Sequence, residues 1–116
     1  MSRICLVLLS AFGFAACGSN PADAVVVAID DNGRQAYTDY CAGCHETGML
    51  GAPIVGDAAY WKGRSTLWQA VLMEHAKKGY YDMPARGGRS DVSDAMIDAA
   101  TEYMLSMTFP DMPRDQ

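Results

Sequence analysis

An all-helical fold, built as one small domain, is predicted by three features of the 116-residue chain. Apolar residues recur at three- and four-residue spacing in three separate stretches. The segments between those stretches are rich in glycine and proline, and no stretch alternates apolar and polar residues as a half-buried strand does. Half of the residues are hydrophobic and a fifth are charged, a balance that suits a globular rather than a disordered chain.

The front of the chain is a different population. In residues 1–16, MSRICLVLLSAFGFAA, a lone Arg3 precedes an apolar run too short to cross a bilayer comfortably, which is the layout of an export signal. Two ends for that signal compete. Phe14-Ala15-Ala16-Cys17 resembles the lipobox of bacterial lipoproteins, with Phe where Leu is usual, and would make Cys17 the lipidated first residue. Ala22-Asp23-Ala24 offers an alternative cut after residue 24. The lipobox is the preferred reading. It makes 1–16 the signal, 17–29 a tether, 30–109 the folded domain and 110–116 a tail, with the product held at a membrane in the periplasm. Arg3 leaves with the signal, so the mature chain is more acidic than the −5 of the whole sequence, which argues against nucleic acid as a partner.

The first helix is expected from the capping residues Asp30-Asp31-Asn32. Gly33, Tyr37 and Cys41 form one stripe, Ala36, Tyr40 and Cys44 run beside it, and Gly48 marks the end. A second helix is expected from Ser65 or Thr66 to a stop at Gly79, with Leu67, Val71, Leu72 and His75 on its apolar face and Lys77 and Lys78 at its C-terminal end. The third starts at Ser93 and carries Met96, Ala99, Ala100, Tyr103, Met104 and Met107 as its stripe, with Asp98 and Glu102 toward water; Pro110 forbids continuation.

The stretch DYCAGCHETG carries the chemistry. Cys5 leaves with the signal and Cys17 is lipidated or also removed, so Cys41 and Cys44 are the cysteines of the folded body. C-x-x-C-H is the attachment signature of haem c. On a helix, Cys41, Cys44 and His45 stand at i, i+3 and i+4 and share a face, so two thiols can reach two vinyl groups while the imidazole reaches the iron from the same side. The rival readings lack residues. A structural zinc site wants four ligands, and outside this cluster His75 is the remaining histidine; a redox dithiol of the thioredoxin kind needs a βαβ setting. A disulfide closing so short a loop contributes little stability.

Across residues 31–107 the chain resembles class I c-type cytochromes, and most closely the cytochrome c5 group. Gly33, Tyr37, Cys41, Cys44 and His45 match the family's first helix, with Tyr103 on the facing last helix; GAPIVGDAAYWKGR and YYDMPARGG are the parts similar to cytochrome c5. The two further cysteines that cytochrome c5 proteins carry beyond the Met-Pro loop are not in this sequence. The resemblance implies a small cytochrome c fold, three main helices and a short one around one covalent haem c and its iron. It also implies a single-electron carrier between redox proteins rather than an enzyme. Three alternative functions stay open: a fixed electron-input haem subunit of a larger oxidoreductase, a haem sensor or catalytic domain with a labile Met ligand, and a haem-free metal-binding module.

Eight methionines leave the sixth iron ligand to be chosen. Met83 and Met112 stand in Met-Pro pairs; Met112 belongs to the tail, whereas Met83 lies in a loop between helices that matches the family's ligand position, so Met83 is expected with His45 on the metal, and His75 is the rival. By the same resemblance, Trp61 and Arg64 approach the haem propionates, and the carbonyl of Pro53 accepts from the far nitrogen of His45. Arg86 and Arg89 are further candidates for a propionate. Lys62, Arg64, Lys77, Lys78, Arg86 and Arg89 crowd one region against Glu74 and Asp82, which predicts a locally positive margin that steers an acidic redox partner.

Overall fold

The computed structural model describes residues 21–61 and 69–112, and the side chains of these from residue 31 onward. Among the described residues five helices follow in order: α1 (Pro21–Tyr40), α2 (Ala42–His45), α3 (Ala58–Trp61), α4 (Gln69–Lys78) and α5 (Asp94–Thr108). Tight 3₁₀ turns at Met49–Gly51 and Ala85–Gly88 join them. Among the described residues no sheet forms, and the one extended contact is the isolated pairing of Tyr80 with Met83.

The first helix begins earlier than the sequence predicts, at Pro21 rather than at Asp30. Proline suits a first helical turn, and Ala22 through Asn32 contains nothing that stops a helix. The same helix breaks at Cys41, where the expected stripe runs on. The break is slight: the Cys41 N–H still donates to the Tyr37 carbonyl at 2.9 Å and the His45 N–H to the Cys41 carbonyl at 3.0 Å. A longer bond of the three-residue, 3₁₀ type from the Cys44 N–H to the Cys41 carbonyl, 3.2 Å, accompanies them. Gly48, at φ +76, then turns the chain out of the helix.

The frame is the crossing of α1 and α5, the most extensive contact between elements, with α4 packed on the other flank of α5. Gly33 makes the crossing close. A Cβ there would stand 2.5 Å from the Ala99 carbonyl oxygen and 3.1 Å from the Tyr103 Cβ. One turn on, the Tyr37 and Tyr103 rings meet with centroids 5.4 Å apart. Ala36, Tyr37, Trp61, Ala100 and Met104 form the buried seam. The Tyr37 hydroxyl lies in it with no hydrogen-bond partner among the described residues, and burial, helped by the nearby Glu46 charge, raises its pKa.

Helix α5 starts as predicted: the Ser93 hydroxyl caps it by accepting from the Met96 N–H at 3.3 Å, and Asp94 sits in the first turn. Its buried face differs from the expected stripe. Ile97, Ala100, Met104, Leu105 and Thr108 are buried, while Met96 and Met107 are exposed. Because α1 and α4 press on two sides of α5, the covered arc turns toward Ile97 and Leu105. Asp98 also leaves its predicted place in water. The Lys77 ammonium lies 3.1 and 3.3 Å from its two oxygens and 2.8 Å from Glu74, tying α4 to α5. Lys77 and Lys78 together hold the Glu74 carboxyl down at about 2.

If the α1–α5 crossing depends on Gly33, Gly33→Ala costs the holoprotein about 1–3 kcal/mol in urea titration, in spite of alanine's better helix propensity. An unchanged midpoint would mean that the two helices do not touch there.

Candidate haem site

The turn Cys41–His45 places both thiols and the imidazole on one side of the chain. Cys41 and Cys44 are half-buried and free of any disulfide. Burial, with Cys44 adding to it, pushes the Cys41 thiol up to about 11.

His45 is buried, and its Nδ1 lies 2.9 Å from the Pro53 carbonyl oxygen. A carbonyl only accepts, so Nδ1 carries the proton and donates, and Nε2 keeps the lone pair suited to a metal. The backbone repeats the attachment: the Val55 N–H donates to the His45 carbonyl at 2.8 Å. Trp61 completes this side, its ring stacked near that of His45 at 6.1 Å between centroids and 19° between planes. The segment is tied to the frame through Thr108, whose hydroxyl accepts from the Gly56 N–H at 3.1 Å and donates to the Met104 carbonyl at 2.7 Å.

The indole N–H of Trp61, which the resemblance offers to a propionate, donates in this structure to the Ile54 carbonyl at 2.8 Å. Trp61 is buried, so its one donor is directed inward, where an unpaired carbonyl would be costly. Arg64 and Lys62 lie outside the described residues. Arg86 donates to the Val92 carbonyl and the Asp94 carboxylate, and Arg89 clasps Asp91 at 2.9 and 3.0 Å while lying 5.2 Å over the Tyr40 ring.

Met83 sits half-buried in the loop after α4. Tyr80 and Met83 exchange backbone hydrogen bonds, each 3.0 Å. Gly79, at φ +85, lets the loop fold tightly: a Cβ there would stand 2.9 Å from the Ala85 nitrogen and 3.1 Å from the Met83 oxygen. Further on, a Cβ at Gly87 would stand 3.0 Å from the Tyr40 carbonyl oxygen, so the loop rests on the end of α1, one residue before Cys41. Met112 is exposed beyond α5. His75, the rival ligand, is stacked face to face on Tyr80 at 3.8 Å.

The family profile described as "Cytochrome C oxidase, cbb3-type, subunit III" matches residues 28–104. The chain belongs to the cytochrome c family. Cytochrome c-555 of Chlorobaculum tepidum is 40% identical over 80 residues, covering 66% of this chain and 74% of that protein. Cytochrome c5 of Azotobacter vinelandii is 38% identical over 78 residues, covering 66% of this chain and 94% of that protein. A chain in a crystal structure of an electron transfer complex of nitrite reductase with cytochrome c superposes with a TM-score of 0.61 at 31% identity, covering 66% of this chain and 94% of that one. This cytochrome is a small mono-haem electron carrier, and its cofactor is covalent haem c with iron.

The residues present fit that group. Two reduced thiols and an oriented imidazole share a turn, and among the described residues no three His, Cys, Asp or Glu side chains converge as a separate metal clip. Helix α4 adds half-buried rather than fully buried side chains, Val71, Leu72 and Met73 among them. Such a face suits a flat apolar ring better than a close-packed protein neighbour.

The Trp61 bond has a measurable weight. In Trp61→Phe the ring remains while the Ile54 carbonyl loses its donor, so the holoprotein is expected to lose about 1–3 kcal/mol in denaturant titration with its haem retained. Release of haem contacts without loss of stability would place the indole N–H elsewhere.

Proposed function

We propose that Cys41 and Cys44 hold the haem through two thioethers, that His45 Nε2 and the Met83 sulfur ligate the iron, and that the chain passes single electrons between redox proteins of a periplasmic respiratory chain. The observation that carries this is the 2.9 Å bond from His45 Nδ1 to the Pro53 carbonyl on the same turn as both cysteines. Such a bond fixes the tautomer and the ring orientation and raises the basicity of the ligating nitrogen. The haem supplies a one-electron couple. The protein sets where that couple lies: a thioether in place of a second imidazole favours the ferrous state and raises the potential. With two protein ligands the iron offers no place for oxygen or peroxide, so the chain is a carrier and not an enzyme. Trp61 covers the His45 side with its ring, and Arg64 remains the proposed donor to a propionate.

The ligand choice is testable in spectra of the ferric and reduced holoprotein. Met83→Ala is expected to abolish the sulfur-to-iron charge-transfer band and to let the reduced iron bind CO, which the unaltered protein does not; Met112→Ala retains the band. Ready CO binding by the unaltered protein would favour a sensor with a labile ligand.

Of the expected positive margin, Lys62 and Arg64 lie outside the described residues, and the described bases are paired. Each described base of that region is matched: Lys77 and Lys78 by Glu74, Lys77 also by Asp98, Arg86 by Asp94, and Arg89 by Asp91. Such pairing leaves little net field for long-range attraction.

No helix among the described residues is long and apolar enough to cross a membrane. The export signal and the lipobox-like Phe14–Cys17 support a lipid anchor through Cys17. The family profile's description favours a second reading, in which the anchored chain is a fixed electron-input subunit of an oxidase. Membrane fractionation separates these cases. Cys17→Ser is expected to release the protein into the soluble fraction as a lone carrier; a variant still sedimenting with an oxidase would support the subunit instead.

A further inference from the structure

The Met83 loop is fastened at both ends, and the two fastenings differ in kind. Toward α4 the attachment is backbone: the Gly79 turn and the paired hydrogen bonds of Tyr80 and Met83. Toward α5 it is a side chain. In the 3₁₀ turn Ala85–Gly88, three successive residues take left-handed backbone angles, Arg86 at φ +56, Gly87 at +62 and Gly88 at +84. Glycine adopts that region at no steric cost, and a residue with a Cβ does not. Arg86 is the one of the three with a side chain, and that side chain has a definite use. One guanidinium nitrogen donates to the carbonyl of Val92, a residue only 3% exposed, and the other to the Asp94 carboxylate. Val92 and Asp94 flank Ser93, the cap of α5, so the guanidinium grips the start of the helix that packs on both α1 and α4.

We propose that Arg86 is a positioning residue whose grip on Val92 and Asp94 holds the Met83 loop closed and so keeps the Met83 sulfur on the iron. This rests on Met83 being the ligand. A thioether is a weak iron ligand and leaves readily if its loop swings; a charge-assisted fork into a fixed helix start opposes that swing. Neighbouring pairs do not serve the same end. Arg89 clasps Asp91 two residues away, and Lys77 ties α4 to α5 without touching the loop beyond Gly79. The strained backbone at Arg86 is retained because the side chain it carries does work at a distance from its own turn.

The test is imidazole binding to the ferric holoprotein. Imidazole competes with the sulfur, and its binding rate at saturation equals the rate at which the sulfur leaves. Arg86→Gly suits the left-handed backbone and removes the grip; Asp94→Asn keeps Arg86 and weakens its partner. Each is expected to bind imidazole roughly tenfold tighter and to raise the saturating rate by a similar factor. The double variant gains no more than the stronger single one, Arg86→Lys falls between, and the melting midpoint followed by circular dichroism stays close to that of the unaltered protein. Unchanged imidazole affinity and rate in both single variants would overturn the proposal, as would a loss of global stability that tracks the change in affinity. Met83→Ala is the separate control: it binds imidazole with no saturating rate if Met83 is the ligand, and a surviving sulfur-to-iron band there would overturn the ligand choice itself.

Discussion

A side chain at position 33 would run into the Ala99 carbonyl oxygen at 2.5 Å, and the absence of one lets α1 and α5 touch backbone to backbone. The rest of the molecule is aimed by that contact. The crossing carries the Tyr37–Tyr103 ring pair one turn later and delivers Cys41, Cys44 and His45 at the end of α1. From His45 the chain loops through Pro53 and Val55 and returns to α5 at Thr108, so the imidazole is tied to the same two helices that present it. A ring joined to both cysteines would thus be held against a frame that cannot open without separating the helices.

The two arms of the site are built with different stiffness. The His45 arm is local and redundant, with a side-chain and a backbone hydrogen bond from the same residue and Trp61 packed against it. The Met83 arm spans a loop between α4 and α5, closed by a glycine turn on one side and by one arginine on the other. An electron carrier gains from that division. With His45 and Met83 on the iron as proposed, a fixed imidazole would keep reorganisation small and the thioether would set the potential while its loop stays shut. Beside Met83 the described bases are paired with neighbouring acids.

The sequence made the helices and the C-x-x-C-H turn legible because both are written in short-range spacing. Cys41, Cys44 and His45 declare themselves within five residues, Ser93 announces the start of α5, and Gly79 the end of α4. What periodicity does not carry is the direction from which neighbours approach. Met96 and Met107 fit the stripe of α5 as well as Ile97 and Leu105 do, and only the position of α4 decides between them. Charge pairing follows the same rule in part: Asp91 is already beside Arg89 in the sequence, whereas the fold brings Asp98 to Lys77 and Asp94 to Arg86. Trp61 was legible as a residue of the site but not in its polar contact, since a donor's partner lies in the backbone of a loop, Ile54, that no motif marks. Arg86 was legible as a base of the YYDMPARGG stretch but not as a partner of Val92 and Asp94; its backbone angle is what draws attention to that contact.

The most direct measurement of the central claim is the mass of the acid-denatured mature polypeptide, taken together with thiol alkylation at Cys41 and Cys44. The account expects the mass of the amino acids plus one haem, with neither cysteine alkylated. A mass equal to the amino acids alone, with both cysteines open to the reagent, would contradict it.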